Sequence, residues 1–191
     1  MVRGKGGPTE DPLATLAFPV TLEDHHLGSV GAKYTLVEYG DYECPDCEMG
    51  SHVVKELLRD LGEDFCYVFR NFPLTEVHPN AQLAAEAAEA ADAQGKFWLM
   101  HDRLFEHQAE LSPTLVRRLA TEMSLDVRRF DGDLRSGEPK RRVDEDRAGG
   151  AQSGVEGTPT FFANGRMHVG AYEYDPLLRS LTQGSREPNG G

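Results

Sequence analysis

A Cys-Pro-Asp-Cys sequence at residues 44–47 lies where an extended segment gives way to a helical one. The preceding residues, 34–40, are rich in β-branched and aromatic side chains and predict a buried strand. In the residues that follow, Val53, Leu57 and Leu61 recur at helical spacing and predict an amphipathic helix. The pattern therefore constrains the chain to a fold in which two cysteines occupy the first turn of a helix, directly after a strand.

The start of a helix is a favourable place for a cysteine thiolate. Unpaired backbone N–H groups and the positive end of the helix dipole both stabilise an anion on Cys44. The thiolate is the form that attacks disulfides. Cys47 lies three residues further on, one helical turn away, where it can close or resolve the bond. The residues themselves thus predict a redox-active pair.

Composition limits the classes of partner. The net charge of −12 and the sequence pI of about 5.0 disfavour nucleic acid and anionic membrane surfaces. No segment approaches the ~20 apolar residues of a membrane span, and no apolar segment of a secretory signal follows Arg3 and Lys5. With two of three cysteines in one motif, the chain does not read as a disulfide scaffold. We therefore expect a cytoplasmic protein that does not bind membranes.

The order of patterns predicts one α/β domain interrupted by helices. Ser112 and Asp126 are placed to cap two helices of the interruption, and Asn164-Gly165 between two extended runs predicts a hairpin. Expected strands cover residues 17–21, 34–40, 65–71, 160–163 and 166–169, and expected helices cover 45–61, 80–93, 97–105, 112–123, 126–134, 139–147 and 175–181.

A length of 191 residues suits one domain with an insertion. The expected parts are a flexible N-terminus (1–13), a discontinuous α/β domain (14–73 and 151–182), a helical insertion (74–150) and a flexible C-terminus (183–191).

Two separated motifs resemble the DsbA-type branch of the thioredoxin superfamily. They are Glu-Tyr-Gly-Asp-Tyr-Glu-Cys-Pro-Asp-Cys at 38–47 and Gly-Thr-Pro-Thr-Phe-Phe at 157–162, and the resemblance extends over roughly residues 17–182. It includes Asn-Phe-Pro at 71–73 and His-Pro-Asn at 78–80, ahead of the insertion. The resemblance implies a thioredoxin-like fold with an inserted helical lobe, and the activity of a thiol–disulfide oxidoreductase.

The resemblance also implies roles for single residues. Cys44 would be the nucleophile and Cys47 the resolving thiol. Pro159 would follow a cis peptide bond and lie against the pair, and Thr158 would offer its backbone to an extended substrate. Glu38 would be a buried acid that exchanges a proton with Cys47. The residues alone leave open an ordinary trans proline at 159 and an exposed edge glutamate at 38.

Pro45 and Asp46, between the two cysteines, are expected to set the redox poise. Strong oxidants of the family carry histidine where Asp46 stands, and a cation there stabilises the thiolate. Because an anion opposes it, we expect a higher pKa for Cys44 and a more negative potential than in the strongly oxidising members.

Other notable side chains receive structural interpretations. Cys66 is expected to be a buried, unreactive thiol on the third strand. His25 and His26 are expected at the surface of a turn. His78 is expected to fix the turn into the insertion, without a chemical role, and Trp98 belongs to the core of the insertion.

The leading hypothesis is a mixed-disulfide mechanism on protein or small-molecule thiols and disulfides, with a redox partner that the sequence does not identify. A reducing direction would suit a cytosol. The alternative is a chaperone-like module that binds peptides in the same cleft. We expect no cofactor. A metal on Cys44 and Cys47 is disfavoured because no second CxxC or HxxxH supplies further ligands.

Overall fold

The computed structural model describes residues 14–183, so both predicted flexible ends, except residue 183, lie outside the described residues. The described part contains five strands and seven α-helices. The strands are β1 (His25–Leu27), β2 (Tyr34–Gly40), β3 (Phe65–Asn71), β4 (Thr160–Ala163) and β5 (Arg166–Met167). The helices are α1 (Pro45–Leu61), α2 (Ala81–Asp92), α3 (Phe97–Glu106), α4 (Pro113–Glu122), α5 (Val127–Ser136), α6 (Glu138–Gln152) and α7 (Tyr174–Gln183).

The strands form one mixed sheet in the order β1-β3-β2-β4-β5. β2 and β3 run parallel, whereas β4 is antiparallel to β2 and pairs Thr160 with Tyr39. The first residue of β4 therefore lies beside the C-terminal end of β2. This topology brings the Thr158–Pro159 segment beside the Cys-Pro-Asp-Cys turn, although more than a hundred residues separate them along the chain.

Two apolar clusters cover the two faces of the sheet. All seven residues of β3 are buried, and alternate side chains enter opposite clusters. Tyr67 and Phe69 pack in the larger cluster, together with Cys44 and Cys47. Cys66 packs in the smaller cluster, on the other face. Burial and the charge of Asp24 raise its pKa, as befits an unreactive thiol.

The strand predicted at residues 17–21 is wrong, since this segment is irregular. Pro19 has no N–H for a ladder, and the buried Arg70 guanidinium donates to the carbonyls of Phe18 and Pro19, each at 3.2 Å. The first strand of the sheet is β1 instead, in the segment predicted to be a turn, and it pairs antiparallel with β3. Consequently His25 is buried and stacks on Phe97 with ring centroids 3.5 Å apart.

The remaining elements follow the sequence pattern, with the largest changes of length in β5, α6 and α7. Asn164 and Gly165 form the predicted turn, with φ angles of 49° and 81°, but β5 covers only residues 166–167. α6 is longer than predicted and crosses the boundary expected at residue 150. Within residues 14–183, no helix combines the length and apolar character that a membrane span requires.

Candidate active site

The two motif cysteines lie in the first turn of α1 and differ in accessibility. Cys44 is the N-cap residue, Pro45 occupies the first helical position, and the Cys47 N–H donates to the Cys44 carbonyl at 3.1 Å. Cys44 keeps 6% of its surface exposed and Cys47 none. Both are free thiols. Of the two sulfurs, only that of Cys44 can meet a large substrate without rearrangement of the turn.

The surroundings of Cys44 favour its thiolate. Hydrogen bonding from the Cys47 thiol lowers the pKa of Cys44 most; burial opposes this effect, and Thr158 and the backbone N–H groups of Cys47 and Asp46 reinforce it. The resulting pKa is about 6, compared with about 8.5 for a free cysteine. Cys44 is therefore ionised in a large fraction of molecules at neutral pH.

Thr158 and Pro159 border the cysteine pair. The peptide bond between them is cis, and the Cys44 Sγ donates to the Thr158 carbonyl at 3.3 Å. The buried Thr158 hydroxyl has no hydrogen-bond partner among residues 14–183. It is thus available to donate to Cys44 once that sulfur is ionised.

Cys47 is held as a thiol. Burial raises its pKa well above the ordinary value, and hydrogen bonding to Cys44 and the charge of Glu38 raise it further. The backbone N–H of Asp41 contacts the Cys47 Sγ at 3.4 Å and acts in the opposite direction. Cys47 therefore needs a base before it can act as a nucleophile.

Glu38 is buried beneath the pair, which excludes an exposed edge position. It is 1% exposed in β2, and the Tyr67 hydroxyl donates to its Oε2 at 2.7 Å. Its Oε1 has no partner within the described residues, and a Cβ built on Gly40 would lie 3.0 Å from it. This oxygen therefore points along β2 towards the strand end from which the cysteine turn begins.

Burial also sets the protonation of Glu38. It raises the pKa to about 8, against the lowering effect of the Tyr67 hydrogen bond and with a further contribution from the charge of Cys44. Glu38 thus titrates close to neutral pH, where a carboxyl can both accept and return a proton.

Pro45 and Asp46 are exposed at the surface of the first turn. Burial and a hydrogen bond to Asp46 raise the pKa of Tyr172, so this hydroxyl remains a donor to the carboxylate. An acidic side chain in the first turn stabilises the helix but opposes a neighbouring thiolate.

The loop from β2 to Cys44 is anchored to the insertion through contacts that the sequence did not reveal. Asp41 Oδ2 accepts hydrogen bonds from the Leu74 N–H and from His78 Nδ1, both at 2.8 Å. The Glu43 carboxylate accepts the Asn80 N–H at 2.6 Å and its side-chain amide at 3.1 Å. His78 and Asn80 belong to a motif of the family resemblance, which was the one available signal.

Gln108 and His101 provide a second set of anchors. The Gln108 amide donates to the carbonyls of Tyr42 and Cys44 at 3.0 and 2.9 Å, and Tyr42 shares a 3.0 Å hydrogen bond with His101 Nδ1. Burial lowers the pKa of His101 to about 3, helped by the charges of Lys55 and His25, so this imidazole is neutral. Gln108 lies in a short 3₁₀ segment without periodicity, so no sequence pattern marks it.

A chelating cluster is not part of this arrangement. Among residues 14–183, no three His, Cys, Asp or Glu side chains are grouped so that they could hold a metal ion.

The family model described as Thioredoxin matches residues 21–182. Together with the cysteine pair, the sheet order and the helical insertion, this match decides the family. The chain belongs to the thioredoxin family.

Solved structures share the fold of this chain. Oxidised BdbD from Bacillus subtilis superposes with a TM-score of 0.79 at 24% identity, over 90% of this chain and 98% of that one. A thioredoxin-like oxidoreductase from Silicibacter pomeroyi gives a TM-score of 0.76 at 27% identity, over 86% and 93%. The thiol-disulfide exchange protein alpha-DsbA2 from Wolbachia pipientis gives 0.74 at 21%, over 85% and 87%.

Relatives with higher sequence identity than these solved structures are named Na(+)/H(+) antiporters. The Na(+)/H(+) antiporter NhaA 1 of Salinispora arenicola is 48% identical over 159 residues, which are 83% of this chain and 24% of that protein. The NhaA of Herminiimonas arsenicoxydans is 40% identical over 185 residues, 95% of this chain and 29% of that protein. The chain thus spans less than a third of these relatives, and antiport is named for the whole proteins.

Proposed function

We propose that the chain is a thiol–disulfide oxidoreductase that exchanges electrons with substrates through Cys44 and Cys47. The observation that carries this proposal is the contrast within the pair: a pKa of about 6 for Cys44, and a buried Cys47 whose pKa is raised. The Cys44 sulfur is therefore the nucleophile, whereas the Cys47 sulfur becomes nucleophilic only after a base removes its proton. The DsbA-like fold supports the same general class of activity.

In the reducing direction, the Cys44 thiolate attacks one sulfur of a substrate disulfide. The Cys44–substrate bond forms as the substrate S–S bond breaks, and the second substrate sulfur leaves as a thiolate that takes a proton from solvent. Thr158, beside Cys44, presents the edge on which an extended substrate segment would lie.

In the second step, Cys47 resolves the mixed disulfide. Its proton passes to the Glu38 carboxylate, the Cys47 thiolate attacks Cys44, and the first substrate sulfur is expelled as a thiolate. The substrate has then gained two electrons, and the protein pair has become a disulfide. The reverse sequence oxidises a substrate dithiol and returns the Glu38 proton to Cys47.

The pair is proposed to be less oxidising than periplasmic DsbA. A Cys44 pKa of about 6 lies above the value of about 3.5 for DsbA, so the reduced form gains less from its thiolate. Equilibration of the purified protein with glutathione should give a potential more negative than about −120 mV. A potential at or above that value would contradict this part of the proposal.

Reduction of insulin with a small-molecule thiol donor tests the activity. Wild type should accelerate insulin precipitation, Cys44→Ser should show only the uncatalysed rate, and Cys66→Ser should retain wild-type activity. Cys66 is the matched control because it is also a buried thiol but lies on the other face of the sheet. Equal activity of wild type and Cys44→Ser would refute the proposal.

Accumulation of a covalent intermediate tests the order of the two steps. In Cys47→Ser the Cys44 thiolate can still attack a substrate disulfide, but the mixed disulfide cannot be resolved. One half of a labelled disulfide substrate should therefore remain attached to Cys44. Non-reducing electrophoresis and mass spectrometry would identify the adduct. An adduct on Cys66 instead would show that the assignment of the nucleophile is wrong.

The chaperone-like alternative predicts a different result for the same variants. A binding module should suppress aggregation of an unfolded protein equally well in wild type and Cys44→Ser, with no catalysed disulfide reduction in either. No contact in the described residues favours this alternative over the oxidoreductase.

A further inference from the structure

Asp41 begins the loop that leads to the cysteine pair, and it carries a buried carboxyl group. The Asp41 side chain is fully buried, with a relative exposure of 0%. Its own backbone N–H contacts the Cys47 Sγ at 3.4 Å. A negative charge in this position disfavours a second negative charge on Cys44. Something in the site must compensate Asp41 if the Cys44 thiolate is to form readily.

His78 is positioned to provide this compensation. Its Nδ1 lies 2.8 Å from Asp41 Oδ2, while the other contacts of this carboxylate are the neutral N–H groups of Leu74 and Glu43. Within the described residues, His78 is the ion-pairing partner of Asp41. It is 20% exposed, so it can exchange protons with solvent.

The surroundings of His78 favour its charged form. Burial works against the imidazolium, but the hydrogen bond and charge of Asp41 outweigh that effect, and the charges of Cys44 and Glu43 act in the same direction. The pKa of His78 is therefore raised. Because the charge of Cys44 contributes to this rise in pKa, the His78 ring interacts electrostatically with the Cys44 sulfur.

We propose that His78 is a redox-tuning residue whose positive charge neutralises the buried Asp41 and thereby favours the Cys44 thiolate. The cation lies outside the cysteine motif, in the turn that leads into α2, while the motif itself carries the acidic Asp46. This proposal rests on the proposed function of the pair. It differs from a purely structural role, in which His78 would only hold the turn.

The substitution His78→Asn separates charge from hydrogen bonding. The asparagine amide can still donate to Asp41 but carries no charge. We expect the pKa of Cys44, followed by thiolate absorbance at 240 nm, to rise by about one unit. At pH 8 the equilibrium with glutathione should shift about tenfold towards the protein disulfide. His52→Asn, an exposed histidine on α1, should leave both quantities unchanged.

A double-mutant cycle tests the route of the effect. In an Asp41→Asn background His78 loses the carboxylate that raises its pKa and favours its charged form, so His78→Asn should change the pKa of Cys44 much less than in wild type. An equal change in both backgrounds would overturn the proposal. So would a His78→Asn protein with the wild-type pKa and equilibrium constant, even if its thermal stability were lower.

A measurement on the wild-type protein keeps the proposal testable if the variants do not fold. Coupling is reciprocal, so the imidazole of His78 should have a higher pKa in the reduced protein, where Cys44 is a thiolate, than in the oxidised protein. Titration of the histidine ring protons by NMR in both states measures this difference, and equal pKa values refute the coupling. By contrast, a wild-type pair that glutathione cannot reduce or oxidise would refute the proposed function itself.

Discussion

At the residue scale, two buried carboxyl groups belong to residues near the cysteine pair and differ in their hydrogen-bond partners. Within residues 14–183, Glu38 has the neutral Tyr67 hydroxyl as its one hydrogen-bond partner, and burial raises its pKa to about 8. Asp41 is paired with His78 and receives two further backbone N–H groups. In the proposed mechanism the first carboxyl gains and loses a proton, whereas the second fixes the cysteine loop through its hydrogen bonds.

Replacement of Glu38 by glutamine should change how stability depends on pH. The unfolded chain releases the Glu38 proton near pH 4.5, whereas the folded protein holds it to about pH 8. Between these two pH values the folded state binds one proton more than the unfolded chain. As the pH rises through this window, Glu38 therefore lowers the free energy of unfolding of wild type by up to about 1.4 kcal/mol per pH unit. Glu38→Gln removes the loss, and its stability should improve relative to wild type from pH 5 to pH 8.

Urea unfolding of both reduced proteins at pH 5 and pH 8 measures the difference. Contributions of Cys44 and Cys47 are common to the two proteins and cancel to a first approximation. A stability difference that stayed constant between the two pH values would show that Glu38 does not titrate in this window.

The residues with a strong local signal were those that the sequence could place. Cys44 and Cys47 stand out by spacing, whereas Glu38 was singled out through the family resemblance. Gln108 and the contacts of His78 depend on how two distant segments meet, which no local period reports. Likewise, His25 was expected at the surface because its strand is only three residues long and has no alternating pattern to reveal it.

At the element scale, close approach of α6 to the sheet depends on a residue without a side chain. A Cβ built on Gly150 would lie 2.7 Å from the Phe72 ring and 2.9 Å from that of Tyr39. On α5, a Cβ on Gly132 would meet nothing within 4 Å. The two glycines therefore offer a matched test of packing against intrinsic helix propensity.

Gly150→Ala should destabilise the protein by about 1–3 kcal/mol because the methyl group forces α6 away from Phe72. Gly132→Ala should stabilise it by up to about 1 kcal/mol because alanine is the better helix former and space is available. Thermal unfolding followed by circular dichroism would compare the two variants. Similar shifts of Tm in the same direction would contradict the packing argument.

Gln108→Ala should loosen the connection between the insertion and the cysteine turn. It removes both amide hydrogen bonds to the carbonyls of Tyr42 and Cys44, at an expected cost of about 1 kcal/mol. Gln82→Ala is the control, because that side chain bonds only Glu86 on its own helix and should cost less than about 0.5 kcal/mol. Chemical denaturation of the two variants gives both values, and equal stabilities would show that the Gln108 contacts contribute nothing.

Long elements followed the periodicity of the sequence, and short ones did not. β3 and α1 have the predicted bounds because a run of apolar residues or a repeating apolar face specifies each of them. β5 ends after two residues, and the segment around Pro19 is held by Arg70 instead of by a strand partner. In both cases tertiary contacts, not local preference, decide the backbone.

At the scale of the whole molecule, buried polar groups join the insertion to the sheet. Asn71, at the end of β3, donates its side-chain amide to Glu89 of α2 at 2.7 Å and its N–H to Asp146 of α6 at 3.0 Å. His25 of β1 contacts the same Glu89 carboxylate at 3.0 Å. Four elements from both parts of the chain therefore meet in one hydrogen-bonded group.

Asn71→Ala should be strongly destabilising, by about 3 kcal/mol, because it withdraws an amide donor from buried carboxylates. Arg103→Ala is the matched surface change: it removes ion pairs to Glu106 and Glu122 that are largely exposed, and should cost less than about 1 kcal/mol. Urea midpoints at neutral pH compare the two. A smaller loss for Asn71→Ala than for Arg103→Ala would show that the buried group does not hold the two parts together.

The anchoring of the cysteine loop has a consequence for protein engineering. Asp41, Glu43 and Tyr42 each find a partner in the insertion, so the shape of that loop is partly encoded far downstream. Trimming the chain to a minimal scaffold, or grafting its four-residue motif onto another protein, would leave those partners behind. A chimaera that inherits the redox behaviour of this chain must carry both stretches together.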